Sequence, residues 1–321
     1  MNLFKFSLVT VSFLLVGCGG GGGSSSSDTA MSFPSDATSA KPTLENGKKV
    51  EDAVASNQNS GLPSLNKVNN NTSLNSALLT KDISENLSKS IRGLKFNSYS
   101  LNRTINEQEN CSNGGTIAYS GSGDEHGGDI TLNLNQCNNG QQLLNGSVYV
   151  NISNYDSQAD EFKDISMKFT SDYTVKNQYN NKTVTIYNGS YFNMNVIKFN
   201  NYNEASKYKL SMSIKASDGT NQYGLKDAIY YFQEENSETS MYQTAGRIYI
   251  NNLASYVDYD TSYDMSQTPF VYQYNGHVPV RGEARYIMEN NAKVKIVAEN
   301  NDVITYVDSD GDGVYELSEL N

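Results

Sequence analysis

The sequence predicts a mainly β protein: an antiparallel meander, built as a curved sheet, a sandwich or an open barrel, with one amphipathic helix ahead of it. Three observations carry this. From about residue 96 onward, polar and apolar residues alternate with period two in about a dozen short segments, among them "DITLNLNQ", "GSVYVNIS", "YKLSMSIKAS" and "AKVKIVA". Tight-turn pairs separate the segments, including Asn139-Gly140, Asn145-Gly146, Asn188-Gly189, Asp218-Gly219 and Asn275-Gly276. The composition agrees, with 23 Tyr, 5 Pro and no Trp in 321 residues. Tyr and the β-branched residues suit a pleated, half-buried surface.

The N-terminus comes first. Lys5 precedes "FSLVTVSFLLVG", residues 6–17, an uncharged apolar run. A bilayer span needs about 20 apolar residues, so the run is too short to cross and fits the apolar region of an export signal. Residues 1–17 therefore read as a signal peptide. The run closes in Leu15-Val16-Gly17-Cys18. This resembles the lipobox of bacterial lipoproteins, whose cysteine is lipidated and becomes the new N-terminus. The alternative is an ordinary secretory signal with a chance cysteine. The resemblance implies a lipid anchor at Cys18, hence a membrane partner and a place in the bacterial cell envelope. Gly19, where an Asp would favour inner-membrane retention, points to the outer membrane, on its periplasmic or its surface face.

Residues 18–71 open with "GGGGGSSSS" after Cys18 and stay poor in large apolar side chains. They read as a flexible tether, and about 50 such residues reach roughly 40 Å. Over 72–95, Leu74, Leu78, Ile83, Leu87 and Ile91 recur at helix-like steps, with Thr72 or Ser73 to cap the start and Gly93 to end it. That is the expected amphipathic helix. The β domain follows over 96–307. Within it Gly146, Gly189, Gly246 and Gly282 each precede a strand-like run, at spacings of 43, 57 and 36. The uneven steps exclude a regular solenoid and read as hairpin grammar.

Of three cysteines, Cys18 goes to lipid and leaves Cys111 and Cys137. Two cysteines in an oxidising compartment pair, and a loop of about 27 residues is worth on the order of 3.5 kcal/mol in the chain-entropy model. The alternative, a metal or catalytic thiol pair, has few partners, since the chain holds only His126 and His277. The 111–137 segment is similar to segments of uncharacterised exported lipoproteins of Gram-negative bacteria, a resemblance that carries no activity. No characterised family is recognisable in the central domain.

Residues 308–321 hold the densest chemistry. "DSDGDGVYELSE" places Asp308, Asp310 and Asp312 at positions 1, 3 and 5, Gly313 at 6, Val314 at 7, Glu316 at 9 and Glu319 at 12. Calcium is a hard cation that takes six to eight oxygens, and this spacing resembles the EF-hand calcium loop in full. The resemblance implies Ca2+ held by Asp308, Asp310, Asp312 and Glu319, the Val314 carbonyl, and Glu316 through water. Affinity falls in the weak extracellular class, roughly 10⁻⁴ to 10⁻³ M. Two features depart from the family. "DVITYV" ahead of the loop reads as a strand, and after Glu319 only Leu320 and Asn321 remain, so any exit helix is about one turn. No second loop exists to pair with this one. The plain alternative is a solvated acidic tail.

The net charge of −11, or −12 once Lys5 leaves with the signal, argues against nucleic acid. No nucleophile elbow, zinc-protease motif or phosphate loop is present, so no catalytic residue is assigned. Asp124, Glu125 and Asp129 beside His126 read as a polar hairpin tip, with a metal site as the lesser alternative. Tyrosine-rich runs can line a sugar-binding face, but Tyr is also simply a good strand former. The expectation is a calcium-binding envelope lipoprotein, not an enzyme, of binding, adhesion or structural type, with a protein or glycan partner. The alternative is an envelope hydrolase acting on polysaccharide, with calcium as a structural ion.

Overall fold

A computed structural model describes residues 31–54, 103–124, 126–138, 140, 142–179, 181, 183–202, 205–235, 238–264, 268–273, 279–300 and 302–318. The protein is mainly β and antiparallel, as the alternation predicts, with a single helix near the N-terminus. The expected signal peptide, the lipidated Cys18 and the expected helix over 72–95 lie outside the described residues. The chain divides into two compact units.

The first unit is a meander. Strands β2 (Arg103–Asn110), β3 (Thr116–Asp124), β4 (Gly127–Asn138), β5 (Gln142–Asp156) and β6 (Glu161–Phe169) pair in sequence, each antiparallel to the last. Strands β7 (Tyr173–Asn177), β8 (Thr183–Ile186) and β9 (Tyr191–Phe199) complete it. Alternation decides which face is buried. Ile130, Leu132 and Leu134 of β4 point inward with Val148, Val150 and Ile152 of β5 and Ile165, Met167 and Phe169 of β6. Phe169 anchors this core, its ring 5.5 Å from Tyr173 and 6.5 Å from Phe192. Cys111 and Cys137 form a disulfide with their Cα atoms 5.5 Å apart. Both are buried, so the bridge also fills core volume.

The second unit runs through β10 (Ala205–Ser217), β11 (Gln222–Glu235), β12 (Glu238–Ile250), β13 (Ser255–Tyr259), β14 (Phe270–Gln273), β15 (Arg281–Ile287), β16 (Lys293–Glu299), β17 (Asp302–Asp308) and β18 (Leu317–Ser318). Strands β15, β16 and β17 form a ladder in continuous register. Their inner face buries Ala284, Tyr286, Val294, Ile296, Thr305 and Val307.

An N-terminal arm belongs to this unit and corrects part of the tether expectation. Within 18–71, Thr38–Ser39 form β1, which pairs in parallel with Ser255 and Tyr256 of β13, and Leu44–Val54 form helix α1. Thr43 caps the helix, its Oγ1 accepting the Asn46 amide at 3.2 Å, and Glu45 meets Lys49 at 2.7 Å one turn on. The composition hid this because only three residues, Gly47, Val50 and Val54, make the buried face. A Cβ on Gly47 would stand 2.8 Å from Thr305 Cγ2 and 2.9 Å from Val307 Cγ2. The missing side chain is what lets α1 lie directly on β17. Thr305 then donates from Oγ1 to Glu51 at 2.6 Å.

The recurring glycines are also more than hairpin grammar. Strand β5 pairs with β7 up to Asn145 and with β6 from Val148. Strand β12 pairs with β14 over Glu238–Met241 and with β13 from Arg247. Gly146 (φ +131°) and Gly246 (φ +133°) sit at the two changes of partner. Opposite each, the preceding strand slips register, between Leu134 and Cys137 and between Lys226 and Ile229. Gly189 stands between β8, which pairs with β7, and β9, which pairs with β6. Gly282 occupies the same place in β15, which pairs with β14 at Arg281 and with β13 at Tyr286 and Ile287. Each unit therefore repeats one strand plan. The residues after the first switch agree as well: Gly146-Ser147-Val148-Tyr149-Val150-Asn151 against Gly246-Arg247-Ile248-Tyr249-Ile250-Asn251.

Candidate metal centre

Strand β17 ends in Asp308, and the chain turns back as β18, pairing Val307 with Leu317 and Tyr306 with Ser318. The turn between them is the acidic loop. A ladder of side-chain-to-backbone bonds shapes it. Asp308 accepts the Gly311 amide at 2.7 Å and the Gly313 amide at 3.1 Å. Asp310 accepts the Asp312 amide at 3.1 Å, and Asp312 accepts the Val314 amide at 2.7 Å. Gly313 holds φ +93° with nothing within 4 Å of where a Cβ would be. Backbone conformation, not space, calls for glycine there.

The ladder gathers one carboxylate oxygen each from Asp308, Asp310, Asp312 and Glu316 within 4.8 Å of one another. These four could hold a metal ion. Among the described residues no other group of three or more metal-ligating side chains comes together. Unit negative charges 4 Å apart repel by about 1 kcal/mol in bulk water and about 4 kcal/mol at an effective dielectric constant of 20. Such a cluster therefore favours a bound cation.

Asp308 is the buried member, 1% exposed. Lys293 stands directly opposite it in register, but the Lys293 ammonium goes to Asp260 at 3.2 Å. Among the described residues Asp308 has no cationic partner. Asp260 is itself buried, and it accepts the Ser262 amide at 3.1 Å and hydroxyl at 2.5 Å. Burial pushes its carboxyl upward, but the Ser262 and Lys293 donors outweigh this and hold it below the usual range. Glu316 reaches back to accept the Ser309 amide and hydroxyl, each at 2.8 Å, and these bonds hold its carboxyl low.

Val314 lies between Asp312 and Glu316 of the cluster and is exposed; its side chain is hydrocarbon, so any ligand it offers is its carbonyl. Glu319 lies outside the described residues. The expected turn of exit helix is not formed over 314–318. Residues 314–316 take no regular structure, and Leu317–Ser318 pair as β18, because β17 offers an open edge with backbone groups to pair. His126 sits at the β3–β4 tip, its amide donated to Asp124 at 2.8 Å, while Glu125 and His277 lie outside the described residues. Asp129, in β4, makes no metal-ligating group with them among the described residues.

Sequence reasoning missed the outer face of β15–β17 beside the loop. Arg285, Lys295 and Tyr306 stand in one row across the three strands. The Arg285 guanidinium lies 4.3 Å from the Tyr263 ring centre and bonds Glu283 at 2.7 Å. The Lys295 ammonium lies between two rings, 4.7 Å from Tyr306 and 4.5 Å from Tyr315 of the loop. The signal was present as period two in "ARYIM", "AKVKIVA" and "VITYV", but register cannot be read from any one strand.

No protein-family model, curated protein or solved structure matches the chain.

Proposed function

We propose that this chain is a calcium-binding lipoprotein of the bacterial cell envelope, non-enzymatic and of binding, adhesion or structural type, in which calcium stiffens the C-terminal hairpin. One observation carries the metal half of this reading: Asp308 is buried, carries three further carboxylates beside it, and has its cross-strand lysine committed elsewhere. Buried charges are paired or coordinate metals. The donor set is all oxygen, without His or Cys, which suits a hard cation. Magnesium rarely uses dedicated protein cages and keeps its waters, whereas calcium accepts many flexible oxygen ligands. Asp308, Asp310, Asp312, the Val314 carbonyl, Glu316 and Glu319 would hold it. The ion supplies positive charge that neutralises the cluster. The chain supplies the turn at Gly313 and the β17–β18 pairing that bring the ligands together.

The envelope half rests on Lys5, the apolar run at 6–17 and the lipobox-like Leu15-Val16-Gly17-Cys18. These support an acylated Cys18, with the membrane as one partner and the β units available to a protein or glycan of the envelope.

Thermal melts test the metal half. Millimolar calcium is expected to raise the melting temperature by several degrees over chelator, following RT ln(1 + [L]/Kd). An Asp308→Ala/Asp312→Ala variant is expected to show no shift. Identical melts with and without calcium in the unaltered chain would leave an acidic turn and remove the reading. Labelling with a radioactive fatty acid in a bacterial host, lost in Cys18→Ala, tests the anchor.

A further inference from the structure

We infer that calcium at the loop controls Tyr315, which latches the loop onto the outer face of β15–β17; this rests on the calcium reading above. Tyr315 lies between Val314 and Glu316, two of the residues that would hold the ion. Ligation through the Val314 carbonyl on one side and, through water, the Glu316 carboxylate on the other would restrain its backbone and so aim its ring. That ring stands 4.5 Å from the Lys295 ammonium, with Tyr306 at 4.7 Å on the same cation. Arg285, the neighbouring cation, is already engaged by Glu283 and Tyr263. Lys295 has no carboxylate partner among the described residues, so its attraction is directed to the two rings. Tyr315 is half-buried there, whereas its neighbours Val314 and Glu316 are exposed. Tyr315 is therefore the one residue of 311–317 that is not exposed, and its ring docks beside the sheet.

Without the cation, four crowded carboxylates push the loop apart, and the hold on Tyr315 from both sides is lost. By linkage, whatever calcium adds to the Tyr315–Lys295 contact, that contact adds to calcium binding.

The chain contains no Trp, so Tyr315→Trp in the full-length protein is a clean probe. Calcium is titrated into it while indole emission, acrylamide quenching and the heat of binding are followed together. The expected result is an emission shift and reduced quenching with the same midpoint as the heat. Lys295→Met in that background is expected to remove the optical change while calcium still binds. In the otherwise unaltered chain, Tyr315→Leu is expected to weaken calcium binding about two- to five-fold, the size of one cation–π contact. This second variant keeps the test valid if Trp does not fit. Heat of binding without optical change, together with full affinity in Tyr315→Leu, would overturn the latch and leave the calcium reading standing. No heat in the unaltered chain would overturn both.

Discussion

Lys293 and Asp308 face each other across the β16–β17 ladder and do not pair. The lysine turns to Asp260, and the aspartate turns into the loop to take the amides of Gly311 and Gly313. A cross-strand ion pair would have been the simplest use of these two residues. Among the described residues, the buried Asp308 carboxylate is then compensated by the Gly311 and Gly313 amides, at the mouth of a cluster of like charges.

That arrangement gives Asp308→Asn a cost that depends on calcium. Each carboxylate oxygen of Asp308 accepts one loop amide, Gly311 on Oδ1 and Gly313 on Oδ2, so the carboxamide keeps one acceptor and turns an NH2 donor toward the other amide while the charge disappears. In chelator the variant is expected to lose about 1 kcal/mol, because the relieved repulsion offsets part of the lost hydrogen bond. In saturating calcium the loss is expected to be larger, with calcium affinity down at least tenfold. Urea unfolding in both conditions, with calorimetric titration, checks both halves.

Asp260 gives the chain a defined acid sensitivity. Its folded-state pKa is lowered, so its contribution is fully present above the unfolded carboxylate value of about 3.9 and is lost as pH falls through the lower folded value. Asp260→Asn is expected to cost about 2 kcal/mol near neutral pH, as for a hydrogen bond to a charged group. The cost is expected to shrink below pH of about 4. Chemical denaturation at a series of pH values measures it.

The disulfide acts on the first unit. Replacing Cys111 and Cys137 together by Ser is expected to lower stability by about 3 kcal/mol, within the 2–5 kcal/mol typical of small exported domains. The calcium response is expected to survive, since the loop belongs to the second unit. Comparing urea midpoints and calcium-induced shifts in one experiment separates the two effects.

Gly246→Ala tests the partner-switch role of the recurring glycines. The position needs φ +133°, and the new Cβ would lie 2.8 Å from the Ala228 Cα, a backbone atom that cannot swing aside. Strain and clash together are expected to cost at least about 2 kcal/mol. Gly219→Ala, at a turn with φ +89° and open space around it, is expected to cost less. Paired denaturation curves decide.

Much of this was legible in the sequence, for identifiable reasons. Alternation revealed the strands because one face of each is buried, as in Ile130, Leu132 and Leu134. Spacing revealed the acidic loop because its ligands are local. Helix α1 stayed hidden because its docking depends on an absence, the missing side chain at Gly47, which composition reads as linker. The repeated strand plan stayed hidden because two kinds of switch glycine alternate. Gly146 corresponds to Gly246 and Gly189 to Gly282, so no single step between neighbours shows the period. The idle pairing of Lys293 with Asp308, and Tyr315 over Lys295, depend on register between β15, β16 and β17, which no local pattern encodes.

The most direct test of the central claim is a calorimetric titration of calcium into the full-length protein, with magnesium as the competing ion and Asp308→Ala/Asp312→Ala as the control. One site per chain is expected, with a dissociation constant of roughly 10⁻⁴ to 10⁻³ M, little competition from equimolar magnesium, and no binding in the variant. No saturable heat, or equal heat in the variant, would contradict the claim that the loop from Asp308 to Glu319 is a calcium site.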